Sequence, residues 1–228
     1  MFRTSLPTMA RDDGDTMTGA TPNRLGEATR RKLIRTAEKL FAAEGVDAVS
    51  LRAINTAAGQ GAAAVHYHFG TKDDLLTAVL LDIGRQVSGE ITERVAVIAA
   101  DARRPELEDV VRALAEPYLA LLQRERIRGM RWIKIVVQVS WDRRPAVRAT
   151  GQDEVAALLR EQVARALPGV SEDRIARRWP IAVASFLQSL TGLDDSVPGR
   201  GRLSDDDLDE FFDDLIAFIS GGAERMLR

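Results

Sequence analysis

The chain has 228 residues, a net charge of -2, 45% hydrophobic and 29% charged residues. That length can bury one large core or two modules, and the balance excludes a chain that is basic throughout and coats nucleic acid by charge alone. Cysteine is absent, which excludes a disulfide framework, a thiol nucleophile and a cysteine metal site, and no apolar run reaches the roughly 20 residues of a membrane span. The expectation is a cytoplasmic, unexported protein with no membrane segment, in which any basic surface is local.

Residues 1–26 mix Thr, Gly, Pro, Asp and Arg without apolar periodicity and are expected to form a disordered tail. From Glu27 the pattern becomes helical. Leu33, Ile34, Ala37, Leu40 and Phe41 recur at three- and four-residue spacing until Gly45 stops the helix. Ser50 is placed to cap a short second helix, LRAINTAA, which Gly59 ends. A third short helix fits AAAVHYHF, closed by Gly70, and Thr71 and Asp74 have the spacing of a capping box that opens a fourth, longer helix. Three helices with a glycine turn between the last two have the layout of a helix-turn-helix. Between Asn23 and Lys72 eight basic residues face four acidic ones, a local charge of +4 in a chain whose total is -2. Positive charge therefore gathers where phosphate would be bound.

The third helix holds both histidines. Val65 and Phe69, four apart, would face inward onto Leu51 and Ile54, leaving His66, Tyr67 and His68 on the other faces. Such rings donate to phosphates and reach base edges, and Lys72 stands where a helix N-terminus adds its own free N–H groups. Packing of Tyr67 and His68 against the fourth helix is the alternative. A metal site is not expected, because residues two apart on a helix point about 200° apart and no third ligand is near in sequence.

After Lys72 apolar periodicity runs through 75–98, 107–122, 130–141, 154–167, 174–193 and 208–227. It breaks at RRP (103–105), Gly129, RRP (143–145), PGVS (168–171) and the loop 194–204. The class is all-α, with about nine helices: a small N-terminal three-helix helix-turn-helix module and a larger C-terminal helical body.

The segment RRKLIRTAEKLFAAEGVDAVSLRAINTAAG, followed by AVHYHFGTKDDLL, resembles the N-terminal DNA-binding domain of the TetR, or tetracycline-repressor, family. The resemblance covers about a fifth of the chain. It rests on a first helix ending LF-x3-G, the LRAI-x3-AG pair, and the YHFG-T-K close. It implies a homodimeric transcriptional regulator, usually a repressor, that binds double-stranded operator DNA and answers to a small-molecule effector, and no enzyme. By motif position the family's DNA contacts fall on Arg52, Gln60, Gly61, Ala62, His66, Tyr67, His68, Thr71 and Lys72. Asn55 and Gln60 depart from the pattern, being polar where the family usually has small or apolar residues. The implied organisation is a tail over 1–26, the DNA-binding domain over 27–87 and the effector-binding and dimerisation domain over 88–228.

In the body, Tyr118, Leu122, Trp132, Val136, Val139 and Trp141 are candidates for an effector pocket that takes a small apolar or aromatic molecule, the alternative being a packed core without a cavity. Phe186, Leu190, Phe211, Phe212, Leu215 and Phe218 are candidates for a four-helix dimer interface, the alternative being the monomer's own core. No nucleophile is paired with a base, the acids at 194–195 and 205–207 read as solvated charge or compensation of a helix dipole, and no catalytic residue, metal or cofactor is expected.

Overall fold

Glycines and hydroxyl side chains punctuate the chain much as the sequence implies. The computed structural model describes residues 21–140, 152–193 and 203–228. Among them run eight helices: α1 (Thr21–Glu44), α2 (Leu51–Ala57), α3 (Ala64–Phe69), α4 (Lys72–Ala100), α5 (Leu107–Ser140), α6 (Gln152–Ala166), α7 (Glu172–Thr191) and α8 (Asp205–Leu227). Positive φ at Gly45, Gly59, Gly70 and Gly169 takes the chain out of four helical stretches where an L side chain would be strained. Ser50 caps α2 through the Ala53 N–H at 3.1 Å. Thr71 with Asp74 and Ser204 with Asp207 form full capping boxes on α4 and α8. The Ser204 hydroxyl and N–H bonds hold the Asp207 carboxyl below its ordinary value, so the acid run at 205–207 serves a helix start.

One continuous core joins the small helices to the body. Leu33, Ala37 and Phe41 of α1, Ile54 of α2 and Val65 of α3 are fully buried together with Leu75 and Leu76 of α4. In the body α4 packs on α5 and α6, and α5 packs in turn on α7 and α8. No helix among the described residues is long and apolar enough to cross a membrane.

Several expectations need correction. α1 begins at Thr21 rather than Glu27, so 21–26 is helix, while the rest of the expected tail lies outside the described residues. α3 starts at Ala64, leaving Ala62 and Ala63 in the turn before it. The segments 107–122 and 130–141 are joined in one element kinked at Glu125 (φ -135, ψ 55). Gly129, read as the break, is helical and buried, and a Cβ there would lie 3.0 Å from Leu121 Cγ and 3.2 Å from Leu122 Cδ2. Its lack of a side chain serves close packing around the kink, a use that looks the same in sequence as a helix stop. The RRP at 143–145 lies outside the described residues, and the expected division at 87/88 falls inside the unbroken α4.

Candidate nucleic-acid interface and ligand cavity

Four short stretches build the candidate nucleic-acid surface, and buried Asn55 ties two of them together. Asn55 is only 2% exposed. Its Nδ2 donates to the Ala62 carbonyl at 2.6 Å, and its Oδ1 accepts the Val65 N–H at 3.1 Å. One amide thereby bonds the turn before α3 and the first turn of α3 from within α2. A small residue at this position would leave both backbone groups unpaired. The departure from the family pattern is thus a staple between the two helices.

Around that staple, Val65 is fully buried and Phe69 half-buried with the Arg30 guanidinium 5.0 Å over its ring. The outward faces carry Arg52, Gly61, Ala62, His66 and Tyr67, all exposed, with Tyr67 at 84%. His68 is half-buried, its ring edge-on to Tyr67 at 5.0 Å and tilted against Phe69 at 6.3 Å, so part of it serves packing. Gln60 is half-buried, with Nε2 3.5 Å from the Ala58 carbonyl. Lys72 donates to the Asp47 carbonyl at 3.2 Å, which ties its ammonium to the turn after α1. Thr71 uses both its donors on the cap, the N–H and the hydroxyl each going to Asp74 Oδ2. Arg30, Asn55 and Asp47 were missed as contributors. Only Asn55 carried a signal, a polar residue at the buried i+4 position after Leu51.

A second feature lies in the body. A cavity of about 450 Å³ opens between α4, α5, α6 and α7, within the usual range for small-molecule sites. Its walls include Gly84 and Val87 of α4, Tyr118, Trp132 and Val136 of α5, Leu159 and Arg160 of α6, and Trp179 and Val183 of α7. Of the six residues expected here, Tyr118, Trp132 and Val136 line it. Leu122 and Val139 are buried in the core and do not, and Trp141 lies outside the described residues. Trp179 and the α4 residues were not anticipated, because periodicity tells which residues are inside but not which helices part to leave a space. Burial pushes the Tyr118 hydroxyl well above its ordinary range, so it stays neutral. It makes no hydrogen bond to a described residue, and the buried Trp179 indole N–H has no partner among the described residues.

An ion cluster that runs from a buried acid to the surface links α1, α4 and α5. Glu38 of α1, 3% exposed, accepts from Arg128 Nε at 3.1 Å, and Arg128 also reaches Asp82 of α4 at 2.6 Å and Glu125, the kink residue, at 2.7 Å. Burial raises the Glu38 carboxyl above its ordinary value, against the pull of Arg128 and Arg131.

Most of the residues expected at a dimer interface lie inside the chain. Phe186, Leu190, Phe212 and Leu215 are buried in the chain's own core, Phe211 is half-buried, and Phe218 alone of the six is fully on the surface, at 72% exposure. Inward and outward apolar stripes on two neighbouring helices look alike until the packing is known.

Residues 33–79 match the family model of bacterial regulatory proteins of the tetR family, and residues 112–222 match that of the tetracyclin repressor-like C-terminal domain. No curated protein gives a significant sequence match. Among solved structures, a TetR-family transcriptional regulator from Bordetella parapertussis is 16% identical with a TM-score of 0.57, over 83% of this chain and 94% of that one. A TetR family regulator from Marinobacter aquaeolei is 16% identical at 0.55, over 87% and 97%. AmtR of Mycobacterium smegmatis is 19% identical at 0.54, over 96% and 89%. These likenesses show the fold, whereas the two family models between them span most of the sequence from the first helix to the last. The chain belongs to the TetR family of transcriptional regulators.

Proposed function

We propose that the protein is a dimeric repressor that leaves its operator when a small apolar or aromatic molecule enters the cavity between α4 and α7. The observation that carries this is Trp132. Its ring lines the cavity, and its indole N–H donates at 3.0 Å to the carbonyl of Leu80 in α4, the helix whose first residue is Lys72. At Gly84 a Cβ would lie 3.2 Å from Trp132 Cζ2, so the indole sits close against the α4 backbone. A ligand that displaces Trp132 towards α4 therefore displaces α4 as well.

The ligand class follows from the walls. They are mostly apolar and aromatic, and the Tyr118 hydroxyl and the buried Trp179 N–H are polar groups that a ligand oxygen would satisfy. Dimerisation would use outward positions of α8, where Phe218 is exposed along with Ala217, Gly221 and Gly222, small residues that let helices approach. Within this reading the nine DNA-facing residues position α3 and its flanks on the duplex, and no residue has a catalytic role.

The test is footprinting of the purified protein on the DNA upstream of its own coding sequence, repeated with compounds that quench its tryptophan fluorescence. Protection of a roughly palindromic site that a quenching compound abolishes is the expected result. A protected site that no cavity-binding compound releases would overturn effector control.

A further inference from the structure

We propose that His66 reads the exocyclic amine of an adenine or a cytosine in the major groove, because the ring nitrogen it leaves free is an acceptor. The inference rests on α3 being the helix that enters DNA.

Nδ1 of His66 lies 2.8 Å from the carbonyl oxygen of Gly70. A carbonyl only accepts, so Nδ1 carries the hydrogen and donates it. That bond fixes the tautomer: in the neutral ring Nε2, on the other side, has a lone pair and no hydrogen. The backbone holds the arrangement. Gly70 closes α3 at φ 83 and ψ -69, a conformation open to glycine that turns its carbonyl back toward the helix end, and its N–H donates to the His66 carbonyl at 2.9 Å. His66 is exposed and Nε2 has no partner among the described residues.

An acceptor excludes most of what a duplex presents. Phosphate oxygens, guanine O6 and N7, adenine N7 and thymine O4 all accept. The major-groove donors are the adenine N6 and cytosine N4 amines. The neutral His66 ring therefore pairs with A or C and with neither the backbone nor the major-groove acceptors of G or T. Its neighbours meet the opposite demand, since Lys72 and Arg52 carry only donors.

The experiment is selection from a randomised duplex library with the wild type, His66→Ala and His66→Lys. His66 is exposed, so the variants keep the core intact. In the wild type one position per half-site should enrich A or C. His66→Ala should lose that preference, and His66→Lys should turn it to G, whose O6 and N7 accept from an ammonium. Replacing that adenine by purine, or that cytosine by pyrimidin-2-one, removes the amine alone. It should weaken the wild type roughly tenfold or more and leave His66→Ala unchanged. If the position erased by His66→Ala prefers G or T, or if His66→Ala alters no position, the assignment is overturned while DNA recognition stands. If the wild type enriches no sequence, DNA recognition by α3 fails with it.

Discussion

Asn55 and Glu38 are both buried polar residues, and they differ in what burial costs them. Asn55 is a neutral amide with both ends bonded to backbone, so it returns what its desolvation costs and holds α3 against α2. Asn55→Ala leaves the Val65 N–H and the Ala62 carbonyl unpaired. It should destabilise the protein by about 2 kcal/mol and weaken operator binding, read from the urea midpoint and a DNA titration; an unchanged midpoint would show that the staple is not needed. Glu38 is a carboxylate whose pairing with Arg128 does not fully offset its burial, which is why its carboxyl is raised above 4.5. The folded state then binds this proton more tightly than the unfolded state, so Glu38 favours folding in acid, and that contribution is lost as pH rises from about the ordinary carboxylate value through the folded one. Glu38→Gln should flatten this fall in stability, measured by urea unfolding at a series of pH values from about 4 upwards. A slope equal to the wild type's would mean the carboxyl is not raised. Arg128→Met, by contrast, leaves Glu38 only the more distant Arg131 at 3.8 Å and should cost about 2 kcal/mol. Asn55 stands out in sequence as a polar residue at an inward helix position, whereas Glu38 is an ordinary acid of a charged helix until its burial is known.

Elements were read best where local chemistry sets them. Ser50, the Thr71 and Asp74 pair, and the positive-φ glycines Gly45, Gly59 and Gly70 act within a few residues of themselves, and their sites in the sequence and in the structure coincide. Where a residue answers to a partner helix the reading fails. Gly129 packs on Leu121 and Leu122 instead of ending a helix, and the turn of the chain is taken at Glu125. The two glycines of α4 divide the same way. A Cβ at Gly84 would crowd Trp132, whereas Gly89 is exposed with nothing within 4 Å of an added Cβ. Gly89→Ala should therefore stabilise the protein by about 0.5–1 kcal/mol through the unfolded chain. Gly84→Ala should gain less or lose, and it should shift the tryptophan emission as the indole is pushed. If the two variants raise the urea midpoint equally, Gly84 is not held by packing against Trp132.

In the whole molecule α4 runs from the helix-turn-helix end to the wall of the cavity. The cavity was legible only as an aromatic segment, because Trp132 and Tyr118 mark it in sequence while α4, α6 and α7 supply the rest of its wall from far along the chain. The DNA-facing end makes an electrostatic expectation: Lys72→Ala should weaken binding to all sequences alike and reduce the slope of log affinity against log salt by about 0.9 for each lost phosphate contact. An unchanged slope would remove Lys72 from the phosphate contacts. The coupling itself makes the stronger expectation. A ligand that lowers operator affinity about a hundredfold must favour the DNA-incompetent state by about 2.7 kcal/mol, and by reciprocity the operator must weaken that ligand by the same factor. The most direct measurement is therefore to titrate one tryptophan-quenching ligand into the free protein and into its operator complex. Binding about a hundredfold weaker in the complex, matching the loss of operator affinity at ligand saturation, is the expected result, and equal affinities in the two titrations would contradict the account.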